Sequence, residues 1–212
     1  DPSSGWGGRI LGAMAVRDDR TLHYIGTDPN PDNFNSDGTS RYSDLADFYN
    51  TQTYRSNPFF SSTHTYEVFR LGSEEIQHDK DFQKHRGEID VVFTSPPYWN
   101  KRKYSKEEGI GNEKTSEEFV INLSEHLKDC KRVLNDRGSF FLNLGDTFYN
   151  GNLQNVPHRV ILKLQDQGWI LRNTIIWSKT NPKPSSSKSN LTPSYEFIFH
   201  LVKSMEYDYY PS

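Results

Sequence analysis

Two successive prolines, Pro96 and Pro97, stand between Ser95 and Tyr98, directly after the apolar run Ile89-Asp90-Val91-Val92-Phe93. Proline fixes φ and has no backbone N–H, so the segment Thr94 to Trp99 is stiff and turns outward carbonyls that no local donor satisfies. The Ser95 hydroxyl and the Pro96 carbonyl would form a rigid acceptor pair. Such a pair suits a planar amino group whose nitrogen lone pair is delocalised into a ring. Taking hydrogen bonds from both of its N–H groups favours a pyramidal nitrogen with a localised lone pair. Tyr98 and Trp99 would stack on that ring if it belonged to a base rotated out of a nucleic-acid helix. The competing reading is a proline turn over buried aromatics, and the basic run Lys101-Arg102-Lys103-Tyr104 just beyond counts against it.

A second constellation opens the chain. In Asp1-Pro2-Ser3-Ser4-Gly5-Trp6-Gly7-Gly8, the glycines let the backbone approach a ligand closely, and Asp28-Pro29 ends a strand about 20 residues later, where a carboxylate can accept two ribose hydroxyls. This pattern is less specific than the first, and it suits a dinucleotide equally well. Ser3 and Ser4 have the polarity to bind a ligand carboxylate, although loop polarity alone accounts for them. Asp146 stands after a strand, with lining the site and capping a helix as equal alternatives. The seven histidines pair with neither a serine nor a cysteine nucleophile and show no metal-ligand spacing, which excludes hydrolase and metal chemistry and leaves no metal site expected.

These groups need elements to hold them. Apolar periodicity predicts helices at Arg9–Val16, Glu74–His85, Ser116–Leu134 and Val156–Gln167. It predicts strands at Leu22–Thr27, Tyr66–Leu71, Ile89–Phe93, Ser139–Leu144, Trp169–Trp177 and Tyr195–Val202. The alternation implies an α/β domain with a mostly parallel sheet. Asn135-Asp136-Arg137-Gly138 reads as a turn that stops the third helix, and residues 30–62 read as an irregular insertion with one helix at Ser43–Thr51. No linker splits the chain, so residues 1–212 are expected to form a single domain. In open sheets of this kind ligands bind beyond the carboxyl ends of the strands, where Asp28, Gly72-Ser73-Glu74, Thr94 to Trp99 and Asp146 all fall.

Composition narrows the partners. A formal charge of −3 argues against a surface that coats nucleic acid indiscriminately, so phosphate contacts must be local. Lys101 to Lys106 and Lys179 to Lys188 are the segments able to supply them. Aromatics make up 14% of residues against 33% hydrophobic in all, which suits base stacking and aromatic cores alike. A lone cysteine, Cys130, permits neither an internal disulfide nor a cysteine-based zinc site, and with no membrane span or secretory leader it points to a reducing, cytoplasmic setting.

Taken together, these residues resemble the DNA amino-methyltransferases that act on adenine N6 or cytosine N4 and carry an S/D/N-P-P-Y/W loop. The resemblance extends over nearly the whole chain. It implies a Rossmann-like methyltransferase fold with helices on both faces of the sheet and an antiparallel last strand. The strand that the family places ahead of the cofactor loop would precede Asp1, so the first central strand is expected to be truncated and the chain a fragment. Ser95, Pro96, Pro97 and Tyr98 would be the catalytic loop. Asp1, Pro2, Ser3, Gly5, Gly7, Asp28, Pro29, Ser73, Glu74 and Thr94 would bind S-adenosyl-L-methionine. Trp99, Lys101, Arg102, Tyr104, Lys179 and Lys188 would meet the DNA around the flipped base. Trp177-Ser178-Lys179-Thr180-Asn181-Pro182-Lys183-Pro184, followed by Tyr195-Glu196-Phe197-Ile198, is similar to the family's later loop and final strand. A serine before the prolines, together with that loop, favours cytosine N4 over adenine N6. A restriction endonuclease partner and a bacterial or viral host would follow. RNA or protein-amide methylation, and a non-catalytic nucleic-acid-binding fragment, are the alternatives.

Overall fold

Gly8–Met14 forms α1, His23–Thr27 β1, Arg41–Ser56 α2 and Thr65–Phe69 β2 in the computed structural model, which describes residues 1–16, 21–56, 64–72, 75–101, 109–182, 184 and 189–209. The chain divides into two compact units, Asp1–Phe82 and Gln83–Ser212. In the first, β1 and β2 pair in parallel from His23 opposite Thr65 to Thr27 opposite Phe69. Ile10, Met14, Tyr24, Tyr42 and Ala46 form its core.

Two expectations for this part of the chain need correction. Residues 30–62 were expected to be largely irregular, but α2 reaches from Arg41 to Ser56, and its Tyr42 and Ala46 are core residues. The helix expected at Glu74–His85 is instead two short 3-10 turns, Ile76–His78 and Phe82–His85. Between them Asp79 is extended, and its Oδ1 accepts from the N–H groups of Asp81 (2.9 Å) and Phe82 (3.0 Å). A short acidic side chain that captures backbone donors in this way competes with helix continuation.

The second unit contains β3 (Ile89–Thr94), α3 (Ser116–Val133), β4 (Leu134–Leu144), β5 (Phe148–Tyr149), β6 (Asn152–Leu153), α4 (Val156–Asp166), β7 (Ile170–Ser178) and β8 (Tyr195–Val202). Its four-stranded sheet has the order β3-β4-β8-β7. β3 and β4 are parallel, while β8 is antiparallel to both neighbours. Strands β3, β4 and β7 therefore run the same way and only the last strand is reversed, as expected. The chain is an α/β protein.

Helix α3 starts in a reciprocal capping box. The Glu118 N–H donates to Thr115 Oγ1 (3.1 Å) and the Thr115 N–H to Glu118 Oε2 (3.2 Å). Phe119, Leu123 and Leu127 of α3 and Val160 and Leu164 of α4 pack with Phe140, Leu142, Phe199 and Leu201 of the sheet. Cys130 lies in the same core, where burial pushes its thiol up to about 12.

The turn expected at Asn135–Gly138 is a bulge in a strand. Ile89 pairs with Leu134 but Val91 with Ser139, so the extra residues arch out of β4. Gly138 is needed there because a Cβ would lie 2.8 Å from the Asp90 carbonyl. The β5–β6 hairpin was not anticipated; it turns through Asn150 and Gly151, both at positive φ. No helix among the described residues is long and apolar enough to cross a membrane.

Candidate active site

Because β8 is antiparallel, its first residues lie beside the carboxyl ends of its neighbours. Leu144 pairs with Phe197, Trp177 with Glu196 and Ser178 with Tyr195. Three strand ends thus bring together residues far apart in sequence: the Ser95–Tyr98 loop after β3, Asn143 near the end of β4, and Lys179 after β7, all around Glu196.

The contacts form one network. The Tyr98 hydroxyl donates to Glu196 Oε2 at 2.8 Å and lies 3.2 Å from Ser95 Oγ. Asn143 Nδ2 donates toward Glu196 Oε2 (3.1 Å), the Tyr98 oxygen (3.2 Å) and, more weakly, Ser95 Oγ (3.4 Å). The Lys179 ammonium pairs with Glu196 Oε1. Burial pushes the Glu196 carboxyl up, but hydrogen bonds from Lys179 and Tyr98, the Lys179 charge and the Asn143 amide outweigh it and hold the group below the ordinary carboxylate range. Asn143 is 5% exposed, and its Oδ1 has no hydrogen-bond partner among the described residues. The buried Thr94 hydroxyl has none either.

Around this network, Lys101 lies 5.8 Å from the Tyr98 ring centroid, and desolvation is the main cause that lowers its ammonium below the usual range. Gly145 follows β4 under the tyrosine, where a Cβ would come 2.9 Å from the Tyr98 ring and 3.3 Å from Glu196 Cγ. Asp146 resolves to the capping role: its Oδ1 accepts from the N–H groups of Thr147 (2.8 Å) and Val156 (3.1 Å), the latter the first residue of α4.

Trp99 does not stand where a DNA-stacking residue would. It is 3% exposed within the core, its Nε1–H donates to the Glu113 carbonyl at 2.9 Å, and its ring packs on Tyr149. The residue two places from a proline pair turns inward here because the chain reverses at Asn100, whose φ is positive. Lys179, expected at phosphate, is an internal partner of Glu196. Ser73, Glu74, Arg102, Tyr104 and Lys188 lie outside the described residues.

The first unit holds the other constellation. Gly5 and Gly7 are both at positive φ, and a Cβ on Gly7 would fall 2.6 Å from Leu45. The Asp1 carboxylate accepts from Arg9 Nε (2.7 Å), the Tyr24 hydroxyl (2.8 Å) and the Ser3 N–H (3.1 Å), and the Thr27 hydroxyl donates to the Pro2 carbonyl at 2.9 Å. Asp28 is 7% exposed; its oxygens accept from the Asn30 N–H (2.9 Å), the Asn33 amide (2.6 Å) and the Tyr42 hydroxyl. Tyr42 also contacts the Gly5 carbonyl at 2.6 Å, so it ties the glycine loop to Asp28. Burial and the Asp28 carboxylate push its phenol above the ordinary value, which keeps it a donor.

The matching family model is that of the DNA methylases, over residues 89–212, more than half of the chain. The chain belongs to the DNA methylase family. The chain is 36% identical over 152 residues to the type II methyltransferase M.XycI of Xanthomonas campestris pv. cyanopsidis, covering 58% of this chain and 51% of the relative. It is 38% identical over 136 residues to M.SfiI of Streptomyces fimbriatus, with 56% and 32% covered. It therefore spans about half the length of these relatives or less. A solved structure titled PvuII DNA methyltransferase (cytosine-N4-specific) matches at 22% identity with a TM-score of 0.47, covering 57% of this chain and 44% of that one.

Asn143 was not singled out from the sequence, Gly145 stood only among the residues that follow a strand, and Glu196 came only within the Tyr195–Ile198 segment that the family resemblance brought in. An amide inside the apolar run Phe140-Phe141-Leu142-Asn143-Leu144 is the signal that was available for the first. Glu196 gains its partners from the pairing of β8 with both β4 and β7.

Proposed function

We propose that this methylase transfers a methyl group from S-adenosyl-L-methionine to the exocyclic amino group of a flipped DNA base, cytosine N4 in preference to adenine N6. The observation that carries the reading is the Ser95-Pro96-Pro97-Tyr98 loop at the carboxyl end of β3, with the serine and tyrosine hydroxyls in contact. Residues 1–212 act as one catalytic domain, in the cytoplasm, with DNA as substrate and a restriction endonuclease as the cognate activity. Serine before the prolines and the Trp177 to Pro184 segment support cytosine.

The cofactor supplies a methyl group already activated on a sulfonium. Asp1, Pro2, Ser3, Gly5, Gly7, Asp28 and Pro29 of the first unit would hold it, and Ser73, Glu74 and Thr94 are further candidates from the sequence motif. The donor set fits a ribose-bearing ligand. Glycine backbone without side chains adjoins a carboxylate that uses three of its roughly four acceptor positions on Asn30, Asn33 and Tyr42. Asp1 serves this set through the loop it braces. Ser95 Oγ and the Pro96 carbonyl accept the two amino hydrogens, Pro97 stiffens their backbone, and the Tyr98 ring stacks on the base. Alignment and this acceptor pair supply the rate enhancement, with no covalent enzyme intermediate. Lys101, Arg102, Tyr104 and Lys188 contact the DNA backbone.

Tritium transfer from labelled cofactor to unmethylated DNA, followed by nucleoside digestion and chromatography, tests the proposal. Label in N4-methylcytosine is the expected result. N6-methyladenine would reassign the base, and label in RNA or protein alone would remove the DNA reading. Ser95→Ala is expected to abolish most turnover, and full methylation by that variant would refute the acceptor role.

A further inference from the structure

Glu196 is an acceptor only, and this fixes directions along the hydrogen-bond chain that ends on it. Tyr98 must donate its one hydroxyl hydrogen to Glu196 Oε2 (2.8 Å), which leaves the phenol oxygen to accept. Ser95 Oγ, 3.2 Å from that oxygen, is then the donor to it; Asn143 Nδ2 approaches the serine oxygen weakly at 3.4 Å, which leaves an acceptor position for a group outside the chain. With a neutral acceptor or no acceptor at position 196, the order could reverse, and the serine would offer its hydrogen to the substrate instead.

We propose that Glu196 directs the Ser95–Tyr98 chain and receives at its end the proton that the amino group gives up on methylation. The proposal rests on the reading of Ser95 as the amine acceptor. As the nitrogen takes the methyl, a carbon–nitrogen bond forms and the carbon–sulfur pair returns to sulfur. One N–H bond then breaks, its pair staying on nitrogen. The proton passes to Ser95 Oγ, the serine proton to the Tyr98 oxygen, and the tyrosine proton to Glu196 Oε2, which becomes a neutral carboxylic acid. An amine whose lone pair is delocalised into a ring is a weak base, so even a carboxylate held strongly ionised can accept from it.

The groups that face Glu196 all fit this role. Lys179 after β7 pairs with Oε1, Asn143 of β4 donates to Oε2, and Lys101 in the loop after β3 adds a positive charge that interacts with the carboxylate. Glu196 acts through Tyr98 and is therefore a positioning residue rather than one that touches the base.

The test uses Glu196→Gln, Tyr98→Phe and their combination in the full chain, with kcat, KM and melting temperature measured across pH. Each single variant is expected to lose about 100-fold in kcat, within the range for assisted proton transfer, with little change in KM. Wild-type kcat falls toward acid as one group takes a proton, and Glu196→Gln lacks that acid limb. The double variant is expected to be no slower than either single one, since both cut the same chain. Tyr98→Phe leaves the Glu196–Lys179 pair intact, so its loss cannot come from a freed lysine or from misfolding around an unpaired charge. Multiplying losses in the double variant, or a wild-type acid limb in Glu196→Gln, would overturn the proposal. Unimpaired Glu196→Gln beside an inactive Ser95→Ala would sink the relay alone; an active Ser95→Ala would sink the underlying reading first.

Discussion

At Gly145 the site depends on an absent side chain. The Tyr98 ring occupies the space where a Cβ would project, and Glu196 closes the other side. Gly145→Ala should therefore displace the Tyr98 ring and break its alignment with Ser95. We expect kcat to fall at least about tenfold, since small misplacements of positioned groups are costly in rate, while circular dichroism and melting temperature change little. Retained kcat would mean that the tyrosine has room the structure does not show. Ser95 to Tyr98 could be picked out in the sequence because a proline pair acts on its own backbone, whatever surrounds it. Asn143 could not, because its chemistry arises from strand register, and Glu196 entered only through the family resemblance, with its partners set by register. Trp99 misled for the same reason: an aromatic beside a proline-pair loop carries no sign of which way the chain turns at Asn100.

Among the elements, α3 was legible end to end, since its apolar spacing, its acidic first turn and its basic last turn are all local signals. Its N-terminal cap gives a direct prediction. Thr115→Ala removes the oxygen that satisfies the Glu118 N–H and should cost about 1 kcal/mol in chemical denaturation. The β4 bulge was not legible, because Asn-Asp-Arg-Gly is turn-forming wherever it occurs and only pairing with β3 makes it an arch within a strand. In the β5–β6 hairpin, by contrast, the Asn150-Gly151 turn was a local signal that the short flanking strands obscured. Strand β8 carries a second prediction. His200 is buried against Phe141, accepts from Asn173 at Nδ1 (3.4 Å), and lies 2.9 Å from Ser139 through Nε2, an arrangement suited to the neutral ring. Burial first, and the Arg172 charge second, lower its pKa from 6.5. The unfolded chain then takes up the proton at higher pH than the folded one. This contribution to stability is complete above the unfolded value and is lost as pH falls through it toward the folded one. Melting temperature should decline from about pH 7 to pH 5, and His200→Phe should flatten that slope. An equal slope in the variant would assign the proton uptake elsewhere.

At the scale of the whole molecule, the α/β alternation was legible because it follows from element order and the reversed last strand only through the family resemblance, whereas the state of Asp28 was not legible, since it depends on Tyr42 and Asn33 folding back over it. That state makes a prediction about how ligand and fold are linked. A ligand that binds only the folded chain stabilises it by an amount set by concentration over Kd, about 2.7 kcal/mol at a hundredfold excess. S-adenosyl-L-methionine should therefore raise the melting temperature of the chain in proportion to the logarithm of its concentration. Asp28→Ala removes the proposed ribose acceptor and also leaves the Tyr42 and Asn33 donors without their carboxylate, so a lowered melting temperature without ligand would not by itself assign a role. Tyr42→Phe separates the two effects. It keeps the Asp28 carboxylate, removes one of its donors, and frees an acceptor position for a ribose hydroxyl. If Asp28 holds the ribose, Tyr42→Phe should melt lower than wild type without ligand yet keep or enlarge its ligand-induced shift, while Asp28→Ala loses the shift. If the carboxylate serves only to bind α2 to the glycine loop, both variants should melt lower and both should keep the shift, which would move the cofactor contact away from Asp28.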